Sequence, residues 1–293
     1  MKVLVIGGTG MLGHKVVQVL SRRFDVTCTI RSSFASVEHL GIFARESTIE
    51  GIDVEDIRSV ANAIEYSKPD VVINCVGVIK QLPTSKDVVK TLTINSIFPH
   101  RLAKFAEEFG FRLITISTDC VFAGTKGNYS EDDPADALDL YGRSKQLGEV
   151  CDDRNLTMRT SIIGREIGSS HSLIDWFLSQ GGPVKGYVNA IYSGFPTVIL
   201  SELIATIISE YPDLKGLYHV SSEPINKFDL LMLVKNRLGL DIEIEKFTDF
   251  TIDRSLDSTK FRAATGFAPL PWPEMVDRMF SDPTPYDDWH KAI

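Results

Sequence analysis

The segment that most constrains the fold is the start of the chain, where a short apolar run leads into three glycines spaced three residues apart. Val3-Leu4-Val5-Ile6 is apolar and mostly β-branched, which is typical of a buried strand. Gly7, Gly10 and Gly13 follow, and apolar residues then recur at helical spacing as far as Leu20. A strand, a glycine turn and a helix in this order predict a dinucleotide-binding start, with a pyrophosphate at the helix N-terminus.

Each glycine has an expected task in such a turn: Gly7 makes the tight turn, Gly10 lets the backbone approach the pyrophosphate, and Gly13 lets the helix pack on the strand. A tight turn without a ligand would use the same residues. The spacing is GxxGxxG rather than GxGxxG, so the turn alone names no reaction. The predicted cofactor contacts in this stretch are Gly7, Thr9, Gly10, Met11 and Leu12.

Composition narrows the class of protein. The 293 residues, 43% apolar and 24% charged, predict one large or two modest globular domains. The net charge of -8, without a basic stripe, argues against a nucleic-acid partner. The four cysteines form no CxxC pair, which predicts reduced thiols and no metal site. Neither a signal peptide nor an apolar run of roughly 18 residues is found, so we expect a cytoplasmic protein with no membrane partner.

The end of the second predicted strand, residues 25–30, bears on the choice of cofactor. In this fold that position meets the adenosine ribose, where an acidic residue would bind the 2′-hydroxyl of NAD. Arg31, Ser32 and Ser33 stand there instead, and a guanidinium and hydroxyls suit a 2′-phosphate. The sequence therefore favours NADP(H) as the cofactor, with NAD(H) as the alternative. Without a ligand, the same residues would form an ordinary solvated end of the strand.

Further cofactor contacts are predicted after the next two strands. Asp53, beside Val54, could accept from the adenine amino group or cap the helix that follows. The strand within residues 69–77 ends in Cys75, Val76 and Gly77, where the glycine allows close approach of the backbone to the nicotinamide half. A helix is predicted over residues 93–109, and Asn95 at its start suits a cap or a buried polar bridge as well as a functional role.

The most informative chemistry follows the fifth predicted strand, residues 111–116. Thr118 comes just after that strand, where open α/β sheets place their sites. Tyr141 and Lys145 are four apart on a predicted helix and so share one face. An ammonium and an oxidised nicotinamide both favour the phenolate of a tyrosine, which lets the phenol transfer a proton near neutral pH. We therefore predict Tyr141 as the acid, Lys145 as its tuning cation and Thr118 as a second donor to the carbonyl oxygen.

These motifs resemble the extended short-chain dehydrogenase/reductase family, and within it the dTDP-4-dehydrorhamnose reductase subfamily. The resemblance covers nearly the whole chain. The segments that carry it, besides the glycine turn, are Ser117-Thr118-Asp119-Cys120-Val121-Phe122, Tyr129-x-Glu131-x-Asp133, Leu140-Tyr141-Gly142-x-Ser144-Lys145 and Arg254-Ser255-Leu256-Asp257-Ser258-Thr259-Lys260.

The resemblance implies a Rossmann-type doubly wound parallel sheet with a smaller C-terminal α/β substrate domain. It places the NADP-binding domain in residues 1–164, with 188–209 returning to it, and the substrate domain mainly in 165–293. It implies reduction of a 4-keto-6-deoxy sugar nucleotide, with Thr118, Tyr141 and Lys145 on the catalytic positions, in deoxysugar or surface polysaccharide biosynthesis. A homodimer is left open.

Two departures from the subfamily concern the substrate region. Cys120 replaces an aromatic residue, and Arg159-Thr160-Ser161 lacks the proline that commonly follows this arginine. Both departures bear on which sugar is the substrate, and neither bears on the type of reaction. Candidate substrate contacts, each with a structural alternative as core or surface charge, are Asp119, Arg165, Trp176 and Arg254.

Two rival functions remain on this scaffold. An epimerase or dehydratase would retain NAD, but a dehydratase commonly needs an Asp-Glu pair after the threonine, and Cys120 follows Asp119 here. A non-catalytic regulatory subunit could keep the nucleotide site alone, and the intact Thr118, Tyr141 and Lys145 argue against it.

Overall fold

The computed structural model describes residues 1–80 and 83–291. The strands are β1 Lys2–Ile6, β2 Asp25–Thr29, β3 Thr48–Ile49, β4 Val71–Asn74, β5 Arg112–Thr118, β6 Leu156–Thr160, β7 Ile162–Ile163, β8 Val184–Tyr192, β9 Phe195–Pro196, β10 Gly216–His219, β11 Ile225–Asn226 and β12 Ile244–Asp253. The helices are α1 Gly13–Leu20, α2 Ile57–Ser67, α3 Val88–Leu92, α4 Phe98–Phe109, α5 Leu140–Leu147, α6 Leu173–Leu178, α7 Thr197–Glu210, α8 Lys227–Leu238, α9 Thr259–Thr265, α10 Trp272–Phe280 and α11 Tyr286–Lys291.

The central element is a seven-stranded sheet in the order β10-β6-β5-β4-β1-β2-β3. The pairings β1–β2, β1–β4, β2–β3 and β4–β5 are all parallel. The strand order reverses beside β1, so the predicted doubly wound, Rossmann-type fold is confirmed. The crevice where the order reverses lies at the carboxyl ends of β1 and β4, next to the glycine turn and Gly77.

The apolar faces predicted for the nucleotide half form one core cluster. Leu4, Ile6 and Val72 on the sheet pack with Ile64 of α2 and Leu102 of α4, all almost fully buried. Burial of one such side chain stabilises the fold by about 1.5–3 kcal/mol. This core holds the carboxyl ends of β1, β4 and β5 in fixed register.

The helix predicted over residues 93–109 starts earlier and is interrupted. Helix α3 runs into a π-helical stretch, Thr93–Ile97, before α4 begins. Pro99 has no N–H to donate to the carbonyl of Asn95 four residues earlier, which removes one α-helical hydrogen bond. The Asn95 carbonyl instead lies against Gly148, where a Cβ would come within 3.0 Å of its carbon atom.

The chain divides into two compact units. The first comprises Met1–Ser117, Leu138–Met158 and Ser201–Leu217; the second comprises Thr118–Ala137, Arg159–Leu200 and Tyr218–Ile293. The segment expected to return to the nucleotide domain, 188–209, therefore joins the first unit only from Ser201 onward. Its beginning lies in β8, which pairs with β12 within the second unit.

The second unit contains a three-stranded sheet in the order β11-β8-β12 that the sequence analysis did not predict. Strands β8 and β12 are parallel, with an irregularity between Phe247 and Thr251, whereas β11 is antiparallel to β8. A two-stranded parallel pair, β7–β9, completes the strands. Across the described ranges, 1–80 and 83–291, none of the helices has the length and apolar character required to cross a bilayer.

Candidate active site

The glycine turn has the geometry expected of a dinucleotide-binding start. Gly7 has φ +88°, which a side chain would strain, and a Cβ there would lie 2.7 Å from Val76. The Gly10 N–H donates to the Gly7 carbonyl oxygen at 3.1 Å. A Cβ on Gly13 would meet the backbone of Gly7 and Gly8, so the close packing predicted for Gly13 is present.

The N-terminus of α1 fits the phosphates of a dinucleotide. Its N-cap residue, Leu12, makes no side-chain capping hydrogen bond, and the helix has no acidic residue in its first turn. The dipole end of α1 is therefore open to an anion. Thr9 and Met11 are half-buried, Gly10 is exposed and Leu12 is buried, so the first three border the turn at the surface while Leu12 belongs to the packed side.

The residues predicted for the adenosine half lie at the ends of β2 and β3. Arg31 and Ser32 are exposed, and the Ser36 hydroxyl donates to that of Ser32 at 2.9 Å. Asp53 accepts from the Glu55 N–H at 3.0 Å, while Asp56 is the N-cap of α2 and accepts from the Arg58 N–H. The capping role that the sequence left open for Asp53 therefore belongs to Asp56. Val54 is buried in the core.

The segment after β4 is held in place by Asn95. Its amide accepts from the Val78 N–H at 2.8 Å and donates to the Val78 carbonyl at 3.0 Å and to the Ser144 hydroxyl at 3.1 Å. Asn95 is thus the buried polar bridge that was one of its predicted roles. The bridge fixes the backbone that follows Cys75, Val76 and Gly77 against α5, which carries Ser144.

Helix α5 carries the candidate acid and its cation. Asp139 caps the helix by accepting from the Gly142 N–H at 2.8 Å. Tyr141 and Lys145 follow one turn apart, with Tyr141 half-buried and Lys145 buried. The Lys145 ammonium donates to the Ile116 carbonyl of β5 at 2.7 Å.

The environment of Lys145 makes it an unusual lysine. Burial lowers the pKa of its ammonium to about 8, and the negative charge of Glu149 opposes that fall. Burial also raises the pKa of the neighbouring Cys75 thiol to about 12, and the charge of Lys145 opposes that rise. A cation that is costly to keep charged has much to gain from an electron-rich partner, such as a phenolate or a ribose hydroxyl.

Thr118 is the last residue of β5, two positions beyond the carbonyl that Lys145 contacts. Its hydroxyl accepts from the Cys120 N–H at 3.1 Å and donates to the Asp119 carboxylate at 3.1 Å. Asp119 is buried, and burial raises the pKa of its carboxyl against the opposing charge of Arg254. A protonated Asp119 could donate to the threonine oxygen, which would release the hydroxyl hydrogen of Thr118 for another acceptor.

Arg254 belongs to the same cluster of the second unit. Its Nε donates to the Phe122 carbonyl at 2.8 Å, and its Nη1 donates to the Cys120 sulfur at 3.6 Å. The structure therefore brings together three candidate positions, Thr118, Asp119 and Arg254, with Cys120 between them. Cys120, which departs from the subfamily pattern, therefore contacts the guanidinium of Arg254.

Arg165 and Trp176 have other surroundings. The Arg165 side chain ion-pairs with the buried Asp175 and, at 2.7 Å, with Asp287 of α11, and it is only 10% exposed. An anionic substrate at Arg165 would have to displace a carboxylate. Trp176 is 37% exposed on α6, so it is not part of the core.

A sequence profile of the family described as "RmlD substrate binding domain" matches residues 1–284. The chain belongs to the RmlD family. A similar relative is the spore coat polysaccharide biosynthesis protein SpsK of Bacillus subtilis, 28% identical over 84% of this chain and 83% of the relative. The resemblance stated from the sequence motifs is thereby confirmed.

Solved structures of named reductases resemble this RmlD family member over nearly its whole length. A hypothetical dTDP-4-dehydrorhamnose reductase from Sulfolobus tokodaii is 26% identical, with a TM-score of 0.77 and coverage of 93% of this chain and 98% of that one. The dTDP-4-dehydrorhamnose reductase of Bacillus anthracis, in complex with NADP, has the same TM-score at 21% identity, with coverage of 96% and 99%. At 21% identity, the similarity to the Bacillus anthracis enzyme shows a shared fold.

One residue of this RmlD family member was missed by the sequence analysis. Lys80, three residues beyond Gly77, places its ammonium 5.4 Å from the centre of the Tyr141 ring and 2.7 Å from Asp139. Its position after β4 was the available signal, but nothing in the sequence showed that this segment packs on the start of α5. In the described part of the chain, no group of three or more His, Cys, Asp or Glu residues is placed to hold a metal ion.

Proposed function

We propose that this RmlD family protein reduces a 4-keto-6-deoxy sugar nucleotide with NADPH. The observation that carries the proposal is the Tyr141–Lys145 pair on α5, with the Lys145 ammonium buried and hydrogen-bonded to Ile116 on the strand that ends in Thr118. The names of similar proteins, sugar-nucleotide reductases and a polysaccharide biosynthesis protein, support the same class of substrate.

The residues of the first unit fit a nicotinamide dinucleotide. The uncapped start of α1 and the turn at Gly7 and Gly10 would hold the pyrophosphate, and Arg31 with Ser32 would hold a 2′-phosphate. Asp53 would border the adenine, and Cys75, Val76 and Gly77 the nicotinamide half. The bound reduced cofactor supplies the hydride.

Side chains of this protein would donate the proton and stabilise the phenolate that forms. The Tyr141 hydroxyl donates its proton to the carbonyl oxygen of the keto sugar and becomes a phenolate. Lys145 favours that phenolate and would also hold the ribose next to the nicotinamide. Thr118 would donate a hydrogen bond to the same oxygen once Asp119 no longer accepts from it. Asp119 and Arg254 would then border the substrate.

The test follows NADPH oxidation by absorbance with 4-keto-6-deoxy sugar nucleotides that differ in base and in the C2 substituent. Tyr141→Phe removes only the hydroxyl, so kcat should fall by a factor of 10²–10⁴ while the Kd for NADPH changes little. A Tyr141→Phe enzyme that retains most of its turnover contradicts the assigned role.

The same preparation separates the rival functions. Tightly retained NAD in the purified protein, seen in its absorbance spectrum, would support an epimerase or dehydratase. NADPH binding without oxidation by any keto sugar nucleotide would support a regulatory subunit. Rapid exchange of NADPH together with its oxidation supports the reductase.

A further inference from the structure

A second cation lies beside the candidate acid. The Lys80 ammonium is 2.7 Å from the Asp139 Oδ2 atom and 5.4 Å from the centre of the Tyr141 ring. The other carboxylate oxygen of Asp139 accepts from the Gly142 N–H and caps α5. One carboxylate therefore fixes both the start of the helix that carries Tyr141 and the ammonium beside its ring.

We propose that Lys80 is a positioning residue that stabilises the phenolate formed when Tyr141 gives up its proton. This rests on the proposed function, in which Tyr141 is the acid. An ammonium near an aromatic ring is attracted by the ring electrons, and a phenolate adds a full negative charge that is partly delocalised into the ring. The attraction is therefore stronger after proton transfer than before it, which is the condition for an interaction to raise kcat.

Lys80 supplies a positive charge near Tyr141 at a lower cost of desolvation than Lys145. Lys145 is buried, and its charge is held at the cost of desolvation. The Lys80 side chain is 35% exposed and pairs with Asp139, so water and a carboxylate both solvate its charge. The two cations belong to different elements: Lys145 follows Tyr141 by one turn on α5, and Lys80 lies in the segment after β4, 5.4 Å from the centre of the Tyr141 ring.

Other charged groups belong to the elements of the first unit that contact α5, namely α3 and the turn Pro83–Lys86 before it. They are Lys86, Asp87, which caps α3, and Lys90, whose ammonium pairs with Glu55 at 2.9 Å. The π-helical stretch against α5 contributes the neutral Asn95 and Ser96. These groups are unchanged in the variants below, so a difference in the titration of Tyr141 reports the change at Lys80.

The first measurement needs no substrate. The full chain without added nucleotide is titrated through its phenolate absorbance, and the same titration of Tyr141→Phe is subtracted to isolate Tyr141. Lys80→Gln should raise the pKa of Tyr141 by about 0.5–1 unit, since a charge about 5 Å away in a partly solvated site contributes about 1 kcal/mol. Lys80→Arg keeps the charge and the partner Asp139, and should restore the wild-type value.

The second measurement uses the loaded enzyme. Lys80→Gln should lower kcat about three- to fivefold with an unchanged KM for NADPH, and Lys80→Arg should recover most of the loss. The matched control is Lys126→Gln, because Lys126 also pairs with a carboxylate, Asp133, and stands 5.6 Å from the centre of a tyrosine ring, that of Tyr129. It should leave kcat unchanged.

A Tyr141 titration that is identical in wild type and Lys80→Gln overturns the proposal. So does a Lys80→Arg variant that is as impaired as Lys80→Gln, because the contact would then matter for its shape and not for its charge. If wild type oxidises no NADPH, the proposed function fails by itself. The titration then still decides whether Lys80 sets the pKa of Tyr141.

Discussion

The glycine turn offers a pair of substitutions that separates folding from cofactor binding. A Cβ added at Gly13 would lie 2.9 Å from the carbonyl carbon of Gly7 and closer still to its oxygen, and 3.3 Å from the Cα atom of Gly8. All three atoms are backbone, so no side chain can rotate out of the way. Gly13→Ala must therefore move α1 away from β1 or distort the turn.

The loss of stability in Gly13→Ala can be estimated from the usual cost of a crowded methyl group and the usual gain in helix propensity. Forcing one methyl group into a closely packed contact costs about 1–3 kcal/mol. Alanine in place of glycine gains at most about 1 kcal/mol of helix propensity, and less at the first residue of a helix. We expect Gly13→Ala to lower the free energy of unfolding by about 1–2 kcal/mol, which lowers the melting temperature by several degrees.

Gly10→Ala is the matched control. Its Cβ would lie 3.5 Å from the Gly7 carbonyl oxygen and 3.9 Å from that of Cys75, which are ordinary contacts. The folded protein should tolerate the methyl group, whereas a pyrophosphate that approaches this backbone would not. Gly10→Ala should therefore raise the Kd for NADPH at least tenfold while the melting temperature changes by less than about 1 °C.

The assays are thermal unfolding without nucleotide and a fluorescence titration with NADPH. A Gly13→Ala protein with the melting temperature of the wild type would show that the close packing at the turn does not resist a methyl group. A Gly10→Ala protein that binds NADPH as tightly as the wild type would contradict the expected effect on cofactor binding. In that case the backbone at Gly10 does not face the phosphates.

Two further predictions concern the second unit. Burial, with Arg159 donating to its Nε2, lowers the pKa of His219 to about 4, below the unfolded value of about 6.5. The neutral ring therefore stabilises the fold above pH 6.5, and about 2–3 kcal/mol should be lost as the pH falls toward 4. Chemical denaturation across this interval measures the loss, which should be smaller in His219→Gln. Arg254→Ala should raise KM for the sugar nucleotide far more than KM for NADPH; equal effects on both would remove Arg254 from the substrate site.

The nucleotide half could be predicted because its signals are local. The run from Val3 to Gly13 predicts a strand, a turn and the start of a helix within eleven consecutive residues, and β1 and α1 are found there. Tyr141 and Lys145 are likewise related by one turn of a helix. Where the determinant is not local, prediction fails: the π-helical stretch before α4 depends on Pro99 and on the Asn95 carbonyl lying against Gly148.

The three-stranded sheet of the second unit was missed for a related reason. Strand β12 has exposed residues on both faces and is irregular between Phe247 and Thr251, so the regular alternation that marks a half-buried strand is lost. Strand β8 contains Gly186, which weakens the strand signal, although a Cβ there would meet Phe228 and Ile244. The residues that explain both strands are more than forty positions apart.

The surroundings of Thr118 show why site chemistry is harder to predict than site position. The sequence identifies Thr118 as a donor at a strand end, but its hydroxyl hydrogen is already accepted by Asp119. Whether that hydrogen can be redirected depends on the charge of Asp119, which burial makes neutral more readily and Arg254, 135 positions later in the chain, makes negative more readily. The strength of Thr118 as a donor is therefore set by a balance between burial and a distant guanidinium. The local sequence predicts where the threonine lies, but it does not show how burial and Arg254 together set the charge of Asp119.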